Sequence, residues 1–189
     1  MTEILGQSAG VTVRLAAEGD LEGIMTIERT VFAHEAWPDE AMRRDIVSPN
    51  CFYVVGELAA TGQIVGYAGL QCPPGAGDGD IQTIATHPTV RSRGLGRVMM
   101  GELIEEAAKR GAHRLFLEVR SDNPIAIGLY RALGFHEIGS RPGYYQPDNV
   151  DAVIMRLDPV PGGPGERSVG PVGSEAITWE DKRKSEGAC

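Results

Sequence analysis

The chain has 189 residues, 42% of them hydrophobic, and a formal net charge of -8. This length suits one domain with an appendage, and the acidic balance argues against generalised nucleic-acid binding. No apolar run approaches the roughly 20 residues of a membrane span, and the opening MTEILGQSAG lacks the basic and apolar regions of a signal peptide. The three cysteines, Cys51, Cys72 and Cys189, are widely spaced with no CxxC, which indicates neither a disulfide framework nor a zinc site. A reducing cytoplasm is the expected compartment.

Val11-Thr12-Val13-Arg14-Leu15 alternates and reads as a strand. Asp20 is placed to cap a helix through Leu21, Ile24, Met25, Ile27 and Glu28. Pro38 suits the first turn of a second helix ending near Ile46. Cys51 to Glu57 and Ile64 to Leu70 are β-rich and separated by Ala59-Ala60-Thr61-Gly62, a hairpin pattern. Pro73 to Asp80 reads as a loop, and Ile81 to Thr86 as the next strand. A helix follows with Leu95, Val98, Met99, Leu103, Ile104 and Ala107 on one stripe, and Gly111 stops it. His113 to Arg120 is a strand with Leu115, Leu117 and Val119 on one face and Phe116, Glu118 and Arg120 on the other. Pro124 opens a short helix that Gly134 ends, and Phe135 to Ser140 and Val153 to Leu157 complete the strands. The folded domain is expected over residues 10–158. The remainder, 159–189, is rich in Gly, Pro, Ser and charge and reads as a disordered tail.

The most informative stretch is Arg91-Ser92-Arg93-Gly94-Leu95-Gly96-Arg97. Two glycines one residue apart permit a tight turn with bare amides near a ligand. A helix starting there aims unpaired N–H groups and a partial positive charge the same way. With three arginines around it, this strand, glycine turn and helix start describe a cradle for a diphosphate. The dinucleotide pattern G-x-G-x-x-G is absent, because Arg97, Val98 and Met99 follow Gly96.

Three strings carry a family resemblance: RSRGLG at Arg91 to Gly96, LEVRSDNPIAIGLYRALGF at Leu117 to Phe135, and RPGYYQPDNVDAVIMRL at Arg141 to Leu157. Over about residues 10–158 the chain resembles the GNAT acetyltransferase superfamily. The second and third strings are similar to its ribosomal-protein alanine N-acetyltransferases, the RimI type. The resemblance implies an α/β (α+β) fold with a mixed, mostly antiparallel sheet of six to seven strands, flanked by four helices and splayed at the acetyl-CoA site. It also implies acetyl-CoA as co-substrate, with no metal.

Acetyl transfer to an amine requires that the amine lose a proton, the carbonyl oxygen be stabilised and the leaving thiolate gain a proton. By resemblance Glu118 is the proton acceptor. Its apolar neighbours Leu117 and Val119 fit this role, since a carboxylate partly withdrawn from water is a better base. The family's A-L-Y tyrosine falls on Tyr130, the candidate acid, which at the same time has the spacing of a core aromatic with Ile127 and Leu133. Ile84, Ala85 and Thr86 match the strand whose backbone bonds the pantetheine arm. Ser92, Arg93, Gly94, Leu95, Gly96 and Arg97 match the phosphate loop. Asn123 matches a cofactor-contacting asparagine and, before Pro124, is also a good helix cap.

Trp37, Tyr144 and Tyr145 are the candidate acceptor-channel aromatics, with core packing as the alternative for each. Here the family's Pro-Trp order is replaced by Ala36-Trp37-Pro38. Glu35 and Asp39 are placed to hold a cationic N-terminus, or are simply solvated. His87 and His113 have no partner at metal spacing and read as structural or exposed.

The implied activity is acetylation of a protein N-terminal amine, most specifically an N-terminal alanine of a ribosomal protein, by direct attack in a ternary complex. The expected partners are acetyl-CoA and a protein N-terminus, with the chain a monomer. Two other readings stay open: a lysine or small-amine acetyltransferase of the same fold, and a non-catalytic acetyl-CoA-binding module.

Overall fold

A computed structural model describes residues 3–164. One sheet holds eight strands in the order β1-β2-β3-β4-β5-β6-β8-β7. These are β1 (Ile4–Ser8), β2 (Val11–Leu15), β3 (Cys51–Leu58), β4 (Ile64–Gln71), β5 (Asp78–Thr86), β6 (Arg114–Arg120), β7 (His136–Tyr145) and β8 (Val150–Leu157). The helices are α1 (Leu21–Phe32), α2 (Asp39–Val47), α3 (Leu95–Lys109) and α4 (Pro124–Ala132). Only β5 and β6 pair in parallel; the other neighbours are antiparallel. The mixed, mostly antiparallel sheet and its four helices are as expected. No helix among the described residues is long and apolar enough to cross a membrane.

The additional strand is β1, which lies before the expected domain start at residue 10. Ile4–Ser8 has no alternation to mark it. It forms because Ala9 and Gly10, both at positive φ, turn the chain back onto β2. At the other end Val160 is fully buried and its N–H donates to the His113 carbonyl at 3.0 Å. The ordered packing therefore continues past residue 158. The expected tail beyond residue 164 lies outside the described residues.

Two apolar clusters sandwich the sheet. One joins Val54, Ala68, Leu70, Leu115, Leu117 and Val119 to Met99, Leu103 and Ala107 of α3 and Ile127 and Tyr130 of α4. The other joins Ile24, Met25 and Ile27 of α1 and Met42 of α2 to Tyr53, Val55, Tyr67 and Ala85. The alternation along β6 thus puts Leu115, Leu117 and Val119 under α3 and α4, and Phe116, Glu118 and Arg120 on the opposite face.

Asp20 holds the N-cap position of α1, as expected, but its side chain makes no capping bond there. Its own backbone is helical, and its carboxylate accepts from the Ala17 N–H and pairs with Arg14. Gly62 closes the β3–β4 hairpin and Gly111 ends α3, both at positive φ, as the sequence indicates. The loop expected at 73–80 is shorter. Asp78 opens β5 because its carboxylate takes two hydrogen bonds from Arg114 on β6, at 2.8 and 3.0 Å. A Gly-Asp-Gly-Asp run has no local signal for that partner. β7 likewise runs on to Tyr145, held by pairing with β8.

Gly69, in the middle of β4, is a tight site. A Cβ there would lie 2.4 Å from Tyr53 Cζ and 2.5 Å from Cε1. Tyr53 is buried against α1 and α2 and its ring has nowhere to retreat. We expect Gly69→Ala to destabilise the fold by about 1–3 kcal/mol, the usual cost of overpacking, seen as a lower urea midpoint.

Two irregularities position the site. β5 carries a bulge: Thr83 faces Gly69 and Ile81 faces Leu70, which leaves Gln82 as the extra residue. The β5–β6 ladder covers only Asp78–Ile81 against Arg114–Leu117. Past Ile81 and Leu117 the two strands diverge, and β6 continues paired only with β8. The β6-facing edge of β5 from Gln82 to Thr86 therefore opens onto a gap in the sheet.

Candidate active site

A cleft of about 1140 Å³ occupies this gap. Ile84, Ala85 and Thr86 line one wall, and Leu117, Glu118 and Val119 line the other. Backbone donors and acceptors on an open strand edge are strong hydrogen-bonding groups awaiting partners, so an amide-bearing chain can lie along β5 as an added strand.

The glycine turn stands at the cleft's outer end. Gly94 adopts φ +85 and is the residue from which α3 departs; Ser92 also has positive φ. Ser92, Gly94, Gly96, Arg91 and Arg97 line the cleft. Leu95 turns inward and is buried against Gly56 and Gly66, so it anchors the turn and leaves only its backbone for a ligand. Arg93 contributes no lining surface; its carbonyl accepts from Ser8 Oγ at 2.6 Å, tying the turn to β1. Arg91 Nε donates to the Thr86 carbonyl at 3.4 Å. Asn123 lines the cleft while its side chain accepts from the Ala126 N–H at 3.1 Å, so its cap role is occupied from within α4.

Glu118 and Tyr130 approach the gap from opposite faces of the sheet. Glu118 is 22% exposed and its carboxylate lies 3.3 Å from an Arg141 guanidinium nitrogen. Arg141 in turn stacks 5.5 Å over the Tyr144 ring. Tyr130 is 6% exposed, packs against Phe135, and still lines the cleft. Burial pushes its phenol up to about 12, so it carries its proton throughout the physiological range.

On the Glu118 face the cleft is walled by Trp37, Tyr144 and Tyr145, with Val31 and Phe32 of α1. The two tyrosine rings meet edge to face at 5.0 Å. Arg120 ties this side together. It donates to Glu35 at 2.9 Å, to both Asp122 oxygens at 3.0 Å and to Asp148 at 3.0 Å, and it lies 5.3 Å over Tyr145. Burial, followed by the Glu118 charge, raises the Tyr145 phenol. Asp39 is engaged elsewhere, with exposed Arg29, and His87 bonds Thr89.

Sequence reasoning missed Glu28. It sits on the buried stripe of α1, only 1% exposed, and lines the cleft floor. It accepts the Trp37 N–H at 2.9 Å and the Tyr67 hydroxyl, and Tyr67 also lies 3.2 Å from Thr83 Oγ1. Burial raises its pKa, partly offset by the Trp37 N–H. The available signal was a lone carboxylate within an apolar helical stripe.

The model of the acetyltransferase (GNAT) family matches residues 21–135. The chain belongs to this family. As a GNAT acetyltransferase it uses acetyl-CoA, and its cleft occupies the splayed gap just described. Among relatives, an N-alpha-acetyltransferase RimI of Mycobacterium tuberculosis is 35% identical over 153 residues, 78% of this chain and 92% of the relative. The [ribosomal protein bS18]-alanine N-acetyltransferase of Escherichia coli is 37% identical over 107 residues, 56% of this chain and 71% of the relative. An uncharacterised Mycobacterium leprae protein is 35% identical over 160 residues, but the chain spans only 43% of its length. The crystal structure of the ribosomal-protein-S18-alanine N-acetyltransferase from E. coli superposes with a TM-score of 0.72 and 30% identity, covering 85% of this chain and 99% of that one.

Proposed function

We propose that this GNAT acetyltransferase acts in the cytoplasm on the N-terminal α-amine of a protein, with the N-terminal alanine of a ribosomal protein as favoured acceptor. The observation that carries the reading is the convergence of Glu118 and Tyr130 on the gap between β5 and β6. The names of the relatives above direct it to an α-amine.

The residues divide by position. The open β5 edge at Ile84–Thr86 receives the pantetheine arm. The backbone of Ser92 to Arg97, at the start of α3, receives the diphosphate with Arg91 and Arg97 beside it. Acetyl-CoA supplies the acyl group as a thioester. Glu118 takes a proton from the amine, whose reference pKa is near about 8. The amine nitrogen then forms a bond to the carbonyl carbon; the C–S bond breaks with its electron pair on sulfur, the second N–H proton leaves the new amide nitrogen, and coenzyme A departs as its thiol. Tyr130 directs its O–H at the departing sulfur. Because a thiol has a reference pKa near about 8.5, a phenol at about 12 gives most as a hydrogen-bond donor while charge builds on sulfur. Direct transfer is supported by the cysteines: among the described residues Cys51 and Cys72 are buried and neither lines the cleft.

The acceptor is tested by mass spectrometry, with acetyl-CoA and paired peptides carrying a free or a blocked N-terminus. Acetylation of the free peptide alone is expected. Equal modification of a blocked peptide at an internal lysine would overturn the α-amine assignment in favour of the lysine reading. The donor site is tested by Gly94→Val, which forces a β-branched residue into φ +85. A left-handed conformation costs about 1–2 kcal/mol, so a roughly tenfold rise in the KM for acetyl-CoA is expected, with the peptide KM unchanged.

A further inference from the structure

We infer that Glu28 is a positioning residue that registers the acceptor wall of the cleft against the strand receiving the acetyl donor. The inference rests on the N-acetyltransferase reading above and concerns a group that reading leaves unused.

The geometry is a three-part bridge. One Glu28 oxygen accepts the Trp37 N–H at 2.9 Å, which fixes the turn carrying Glu35 and Trp37. The other accepts the hydroxyl of Tyr67, a fully buried residue of β4. That hydroxyl lies 3.2 Å from Thr83 Oγ1 on β5, immediately after the Gln82 bulge and next to Ile84 on the open edge. The chain of contacts thus runs from acceptor turn to carboxylate to central strand to donor strand. Trp37, Thr83 and Glu28 all line the cleft. At 1% exposure Glu28 is too deep to meet an acceptor amine without rearrangement, and both its oxygens already hold partners. Its effect on the reaction is therefore exerted through Trp37 and Thr83.

Near-attack geometry is sensitive: a displacement of about 1 Å can cost on the order of a hundredfold in rate. Glu28→Ala removes the acceptor for both donors and frees the turn. Glu28→Gln keeps the bridge: its carbonyl takes the Trp37 N–H, its NH₂ donates to Tyr67, and the Tyr67 proton turns to Thr83. The neutral amide is a fair replacement for a carboxyl that burial already biases toward protonation.

The experiment compares full-length wild type, Glu28→Ala, Glu28→Gln and Tyr67→Phe in a Trp179→Phe background, where Trp37 is the sole tryptophan of the two in the chain. Steady-state kinetics with a free-N-terminus peptide and acrylamide quenching of Trp37 are read together. For Glu28→Ala we expect kcat/KM for peptide to fall roughly 10- to 100-fold. The KM for acetyl-CoA should stay within about twofold, with a clear rise in Trp37 quenching. Glu28→Gln should recover most of both. If Glu28→Ala raises both Michaelis constants alike, or leaves Trp37 quenching unchanged, the proposal is overturned. It is also overturned if Glu28→Gln is as inactive as Glu28→Ala with Trp37 undisturbed, which would assign the carboxylate a direct chemical role. Should Glu28→Ala not fold, Tyr67→Phe must show the same peptide-selective loss and increased quenching, and absence of both rejects the bridge. If the wild type acetylates no N-terminal peptide, the acceptor reading fails separately, and the quenching series still decides the bridge.

Discussion

Replacing Glu118 by Gln is expected to lower kcat by about 10²–10⁴-fold, the usual contribution of a positioned general base, while the KM for acetyl-CoA changes little. The amide has the same shape and the strand around it is paired on one side with β8, where Glu118 faces Ile154, so the fold should persist. What the substitution removes is a proton acceptor, together with the ion pair to Arg141 at 3.3 Å. The two losses separate with Arg141→Gln, which keeps the carboxylate and frees its partner; its effect should be the smaller. Steady-state kinetics on both variants, with acetyl-CoA affinity from calorimetry, provide the check. An E118Q variant retaining more than a third of wild-type kcat, or losing acetyl-CoA affinity in step with turnover, would remove Glu118 from the role of general base.

Tyr130→Phe should cost about 10²-fold in kcat, the scale for removing one donor aimed at developing charge. The ring that packs on Phe135 is retained, so the core is not opened. Only the hydroxyl is lost. The pH profile carries a second check. With its phenol pushed up to about 12, wild-type Tyr130 stays protonated below about pH 11, so its deprotonation cannot produce an alkaline fall in rate at lower pH. An alkaline limb near pH 9 that vanishes in Tyr130→Phe would contradict that burial-raised value. A loss smaller than threefold would remove Tyr130 from the chemistry.

Much of this was legible along the chain because it depends on near neighbours. The glycine turn, the alternation that puts Glu118 opposite Leu117 and Val119, and the stripe of α3 are set within a few residues by backbone sterics and periodicity. Asn123 before Pro124 was legible as a cap for the same reason. Other features depend on distant partners. β1 is recruited by β2, the opening of β5 at Asp78 is stabilised by Arg114, and the cleft wall carrying Glu35 is held by Arg120, 85 residues away. None of these contacts has a local pattern. Asp20 illustrates the reverse case: its capping pattern was present, but Arg14 and the Ala17 N–H took the side chain.

By itself the sequence determined the strand, the glycine turn and the helix start, and the placing of Glu118 on a strand and Tyr130 on a helix, because residue type and spacing encode both. Only the tertiary structure decided that these groups share one space. Glu118 and Tyr130 belong to opposite faces of a sheet, and side chains on opposite faces do not ordinarily meet. They converge because β5 and β6 stop pairing after Ile81 and Leu117, and the bulge at Gln82 lies immediately beyond. Strand pairing is a long-range property, so the gap that makes a cleft, and the buried Glu28 at its floor, could be read only once the sheet was assembled.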